Sequence, residues 1–173
     1  MVGGATAAET NCSFYSATAS AYAEVWRQYA YDDQPAPHYK MSYNAVDGVE
    51  DSWSIKYNLL WQRLLGLSGP FAWDEIVPAE IAYYKRHANE FGVPLDPRHT
   101  YVKTDWLSWA AAMTADDDDF RVFIDPIFQF ANTTQSRGPF TDLYDTVTGK
   151  QTHESSFIAR PVIGGLFAKV LMS

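Results

Sequence analysis

A single cysteine, Cys12, stands among the 173 residues, so no disulfide can close within the chain. A thiolate metal cluster and a cysteine pair fall with it, although one thiol could still act as a nucleophile. Basic residues are sparse: thirteen against twenty-one acids, for a formal net charge of −8, with no basic stripe anywhere. Nucleic acid and anionic membrane are therefore not expected as partners, because both need clustered Lys and Arg. No apolar run approaches the length of a membrane span. No glycine-rich phosphate loop occurs, and Gly164-Gly165 falls in a helical stretch where it favours close packing. His38, His87, His99 and His153 lie too far apart for a zinc motif, and neither metal nor cofactor is expected. Met1-Val2-Gly3-Gly4-Ala5 has neither the charged segment nor the apolar stretch of a leader, so either a leader lies outside this sequence or export does not use that route.

What is abundant is apolar and aromatic. Apolar residues make up 47% and aromatics 16%, enough for one well-filled domain with aromatic side chains to spare. Residues 1–10 are small and polar and are expected to be disordered, ahead of a single helical domain over 11–173. Tyr15, Ala19, Tyr22, Trp26 and Tyr29 recur at helical spacing and give a first helix an aromatic face. A short extended piece is expected at 38–43 and a loop at 44–52. A helix over 53–67 follows, stopped by Gly66, Gly69 and Pro70. Pro78 is placed near the start of the next helix, which Gly92 ends. Thr104 or Asp105 reads as the cap of a helix carrying Trp106, Trp109, Ala110 and Met113. The acid run 116–119 suits the start of a helix over 120–131 in which Pro126 makes a kink. It lacks the glycine and distal Glu of a calcium loop. After loops with short extended pieces, Pro161 opens a last helix over 162–171, apolar nearly all round and therefore expected to be buried. The pattern predicts an all-α fold of antiparallel helical hairpins with long irregular loops, where a site would form.

Four blocks stand in a characteristic order. They are 53–60 (WSIKYNLL) with 64–67 (LLGL), 92–106 (GVPLDPRHTYVKTDW), 138–146 (GPFTDLYDT) and 159–165 (ARPVIGG). Any one alone is weak. Together, over roughly 15–171, the chain resembles the fungal and bacterial glutaminase A family. The resemblance implies part of a six-hairpin α/α toroid like that of many glycosidases, a secreted protein several times longer, and hydrolysis of L-glutamine to L-glutamate and ammonia. Part of a toroid would leave an apolar edge, and a homo-oligomer through that edge is expected. Asn11-Cys12-Ser13 and Asn132-Thr133-Thr134 match the acceptor pattern of an extracellular glycoprotein, with Asn132 the better of the two.

Amide hydrolysis needs a nucleophile or activated water, a proton donor for the leaving ammonia and stabilisation of the oxyanion. Free glutamine also needs a cation for its α-carboxylate and an acid for its amine. The segment 96–106 holds these types together. His99, Asp105 and Asp96 are the catalytic candidates, His99 as proton shuttle and an aspartate as base or as the group that orients it. Arg98, Lys103 and Trp106 are candidates for binding, as are Asp142, Tyr144 and Arg160 from a second polar set. The same residues also suit plainer roles: Asp105 as a helix cap, Asp96–Arg98 as an ion pair closing a loop, Arg160 as a tie between loops. A carboxylate pair among Asp51, Asp105 and Asp142, with Trp53, Trp61 or Trp106 as platform, would instead suit glycoside hydrolysis or a sugar ligand. A non-catalytic secreted binding or cell-modulating protein on the same scaffold is the remaining alternative.

Overall fold

The computed structural model describes residues 7–44, 51–135, 138–152 and 157–172. The expectation resting on His153 lies outside these residues, as does most of the predicted loop at 44–52. The chain is mainly helical, with two small antiparallel ribbons. Helix α1 spans Ala7–Ala30, so it already includes positions 7–10 of the segment expected to be disordered; residues 1–6 are not described. Strands β1 (Tyr31–Asp32) and β2 (His38–Tyr39) follow, then a 3-10 turn at Tyr57–Leu59 running into α2 (Leu60–Leu64). Helix α3 covers Trp73–Arg86, β3 Tyr101–Lys103, α4 Thr104–Met113, α5 Asp117–Thr133 and β4 Leu143–Asp145. A 3-10 helix, Pro161–Phe167, leads into the short α6, Ala168–Leu171.

Helix α4 is the centre of the domain. Its Leu107, Ala110, Ala111, Ala112 and Met113 are all buried, and it packs against α5, α2, α6 and the last 3-10 helix. The alanine run leaves little side chain in the way, so neighbours on several sides approach closely. Trp53, Tyr83, Phe123, Phe130 and Tyr144 fill the space around it, each worth about 1.5–3 kcal/mol by burial.

Several local expectations change. The helix expected over 53–67 shrinks to the short turn and α2, because 51–56 is irregular and held by tertiary bonds. Ile55 N–H donates to Leu95 O (2.9 Å) and Lys56 N–H to the Tyr84 hydroxyl (2.9 Å). Pro78 lies inside α3 and not at its first turn, since the helix starts at Trp73 with Asp74 and Glu75 against its dipole. Neither Thr104 nor Asp105 caps α4; the boundary residue is Lys103 in extended conformation, with no side-chain cap. Helix α5 begins in the acid run as expected, with the Asp116 carboxylate accepting from Asp119 N–H at 2.8 Å. The final segment is neither a regular α-helix nor buried. Gly164-Gly165 weakens α-geometry, and Phe167, Val170 and Leu171 are exposed. Gly165 itself lies against α4: a Cβ there would come within 2.8 Å of Asp105 Cβ and 2.9 Å of Trp109 Nε1. The aromatic face of α1 is also largely open, with Phe14, Tyr15, Tyr22 and Tyr29 exposed and Trp26 stacked on Tyr39 (4.1 Å).

Candidate functional site

The polar candidates from the sequence separate into two groups on either side of the α4 N-terminus. On one side lies a cavity of about 500 Å³, lined by Trp26, Lys56, Tyr57, Asp96, Arg98 and Trp106 among others. Its aromatic wall continues as a row of rings: Trp106 to Tyr57 (4.1 Å between centroids), Tyr57 to Trp109 (4.9 Å) and Trp109 to Trp61 (5.2 Å). Arg98 is chelated by Asp96, with Nε and Nη2 donating at 2.8 and 2.7 Å and its amide N–H at 3.0 Å. Burial pushes the Asp96 carboxyl up, but these three donors outweigh it and hold it below the usual range. Asp96 and Arg98 thus satisfy one another. His99 is exposed and stacks on Tyr101 (4.8 Å), and no carboxylate among the described residues hydrogen-bonds to it.

Behind the cavity wall, Lys56 reaches into the core. Its ammonium lies 3.3 Å from Glu80 Oε2 and donates to the carbonyls of Tyr39 and Ser54. Glu80 also accepts from Tyr39 N–H (2.6 Å) and from the Tyr84 hydroxyl. Burial lowers the Lys56 amine and the Glu80 charge opposes this. Asp51 serves a second polar cluster. Both its oxygens accept from Tyr83 OH (2.6 and 2.7 Å), and the imidazoles of His38 and His87 stack on the Tyr83 ring.

On the other side of the α4 N-terminus stand Asp105 and Asp142. β3 pairs with β4 in the register Lys103↔Leu143, and Thr104 N–H donates to Asp142 O at 2.9 Å, which brings the two aspartates together. Asp105 is 3% exposed and Asp142 1%. Asp105 Oδ1, both Asp142 oxygens and Thr104 Oγ1 have no hydrogen-bond partner among the described residues. Unpaired buried carboxylate oxygens are expensive and rare in a purely structural role. Burial pushes the Asp105 carboxyl up and the Asp142 charge adds to this, against its own amide, Lys103 and the Trp106 amide. Arg160 Nε lies 3.6 Å from Asp142 Oδ1, an ion-pair contact too long for a hydrogen bond. The Arg160 guanidinium and the Lys103 ammonium both lie over the Phe157 ring, at 4.7 and 5.1 Å from its centroid.

Lys103, Asp105, Asp142 and Arg160 therefore share one site, and Trp106 faces the cavity next door. Tyr144 does not join them: its ring stacks on Phe130 (3.8 Å) and its hydroxyl donates to Phe91 O (2.9 Å). It is fully buried in the core. Phe157 was missed from the sequence, where a lone aromatic in a polar loop carries no signal. Asn11 and Asn132 are exposed but both lie within helices, α1 and the last turn of α5. No group of His, Cys, Asp or Glu among the described residues could hold a metal ion, and no described helix is long and apolar enough to cross a membrane.

The glutaminase A six helical-hairpin domain matches residues 2–170. The chain belongs to this family. It is 34% identical to glutaminase A of Aspergillus oryzae over 99% of its own length and 24% of that protein. A probable glutaminase of Arthroderma benhamiae is 34% identical over half of this chain and 10% of that protein. The chain thus spans about a quarter of the Aspergillus relative, and the mainly helical fold agrees with a six-helical-hairpin domain. No solved structure matches it.

Proposed function

We propose that this chain carries the acid–base centre of a glutamine amidohydrolase, with Asp105 and Asp142 as the reacting carboxyl groups. The observation that supports it most is the buried pair itself: two adjacent aspartates, three of whose oxygens lack partners among the described residues, in a family named for glutaminase. Water adds to the side-chain carbonyl carbon of L-glutamine as Asp142, next to Arg160, takes its proton. Asp105, whose carboxyl burial pushes up, gives a proton to the departing nitrogen. The C–N bond breaks, and L-glutamate and ammonia leave. A proton donor beside a proton acceptor is the arrangement this chemistry requires.

The test is ammonia release from L-glutamine by the purified chain beside Asp105→Asn and Asp142→Asn. Each variant should lose about a hundredfold or more in kcat while keeping its circular dichroism spectrum. Undiminished release by either variant, or none from the folded parent, would sink the reading. The aromatic row from Trp106 to Trp61 beside the cavity favours a second reading, in which a sugar stacks there. Quenching of tryptophan fluorescence by oligosaccharides, weakened in Trp106→Ala, would support it.

A further inference from the structure

We propose that Lys103, Phe157 and Arg160 form a clamp for a carboxylate, which selects glutamine as a free amino acid over glutamine inside a peptide. The proposal rests on the hydrolytic reading for the reacting amide, but the clamp stands on geometry of its own. Phe157 gathers two cations on one ring, Arg160 Cζ at 4.7 Å and Lys103 Nζ at 5.1 Å. Two like charges gathered around one ring favour an anion beside them. Lys103 makes no ion pair among the described residues, and neither Lys103 nor Arg160 donates a side-chain hydrogen bond there. Asp142 stands 3.6 Å from Arg160 Nε, too long for a hydrogen bond, is almost fully buried, and neither of its oxygens has a hydrogen-bond partner among the described residues. Donors without acceptors thus stand beside acceptors without donors.

The backbone that carries Phe157 is held in place at a cost. Phe157 (φ 62°) and Ala159 (φ 51°) both lie in the left-handed region that non-glycine residues avoid. What holds them is the segment bearing Asp142. Asp142 N–H and Thr141 Oγ1 donate to Phe157 O at 3.0 and 2.9 Å, and Ala159 N–H donates to Phe140 O at 3.2 Å. Ring, guanidinium and carboxylate are therefore fixed as one unit. In glutamine only three carbons separate the α-carboxylate from the amide carbon, so a clamp and a reacting carboxyl must be near neighbours, as Arg160 and Asp142 are. The planar guanidinium can take one carboxylate oxygen while still facing Asp142, and Lys103 takes the other.

Steady-state ammonia release is measured on L-glutamine and on its α-methyl ester, for the parent, Phe157→Leu and Arg160→Met, with calorimetric binding of L-glutamate to each. The expected result is a parent that strongly prefers glutamine to the ester. In both variants the loss on glutamine should fall in KM, by about tenfold or more, with a much smaller loss on the ester and L-glutamate binding weakened in step. Equal losses on both substrates, or a parent indifferent to the ester, would overturn the clamp and leave the hydrolytic reading standing. A parent that releases no ammonia yet binds L-glutamate, and binds it more weakly in the variants, would uphold the clamp and remove the hydrolytic reading. A parent that neither hydrolyses glutamine nor binds L-glutamate would overturn both.

Discussion

Replacing Asp105 with asparagine should make the protein more stable and less active at once. The carboxyl is 3% exposed, its Oδ1 has no partner among the described residues, and burial and then Asp142 raise it above the ordinary carboxylate range. The sign of the linkage follows. A raised folded-state value gives stability that is fully present below the unfolded value and lost as the pH climbs through the folded one. The penalty on the charged form therefore grows as the pH rises. Asparagine keeps the shape, drops the charge and brings an N–H that the Asp142 oxygens lack. Relief of one unpaired buried polar group is worth about 1–3 kcal/mol, and desolvation of the new amide reduces this to a net gain of about 1–2 kcal/mol. For a chain of this size that is a rise in Tm of about 2–8 °C. Thermal unfolding of parent and variant near neutral pH, repeated in acid, gives both sign and pH dependence; the gap should narrow as the pH falls. A variant that melts below the parent at neutral pH, or a gap that ignores pH, would refute the account of an unsatisfied, disfavoured charge.

Other outcomes follow from the same geometry. Glu80→Gln should cost about 3–5 kcal/mol in urea unfolding, because it leaves the Lys56 ammonium buried without its counter-charge, and Lys56→Met in the same chain should recover most of the loss. Gly165→Ala should cost about 1–3 kcal/mol by overpacking against Asp105 and Trp109, whereas Gly164→Ala, with open space at its Cβ, should be mild. In acid, the depressed carboxyl groups of Asp32, Asp96 and Asp145 contribute stability that is present above the unfolded carboxylate value and lost as the pH falls through the folded ones. Asp96→Asn should therefore flatten the acid limb of a pH–stability profile, and an unchanged limb would count against the Arg98 chelate.

The periodic helices could be read directly from the sequence, and for a physical reason. In α5 the acid run, the apolar spacing and the cap at Asp116 all favour the same helix. Where local signals conflicted with tertiary ones, the tertiary ones won. Ile55 and Leu59 share a helical stripe, yet the bonds to Leu95 and Tyr84 keep 51–56 out of the helix, and no local pattern announces either partner. The closing segment looked like a buried helix because it is apolar, but it packs on α4 along one side, with Ala168 buried, and leaves Phe167, Val170 and Leu171 exposed. In the site, the segment 96–106 carried the expected residue types but not their division of labour. Asp96 and Arg98 consume one another across two residues, while Asp105 finds Asp142 only through the β3–β4 pairing, a contact between residues far apart in sequence.

Helix α1 is a lever held at one end. Its 24 residues extend about 36 Å, and among the described residues its firmest hold on the body is near its last turns, where Ala30 is buried and Trp26 is wedged between Tyr39 and Phe71. Ahead of that wedge, the helix keeps its shape on alanine propensity and its own hydrogen bonds, which in water is marginal support for so few turns. Opening should therefore cost little at the free end and progressively more towards Trp26, a gradient of amide exchange along one element. Whatever settles on the tyrosine stripe would do more than cover apolar surface: it would turn a fraying rod into a rigid one, and would be felt at Tyr39 and the Lys56–Glu80 pair behind it.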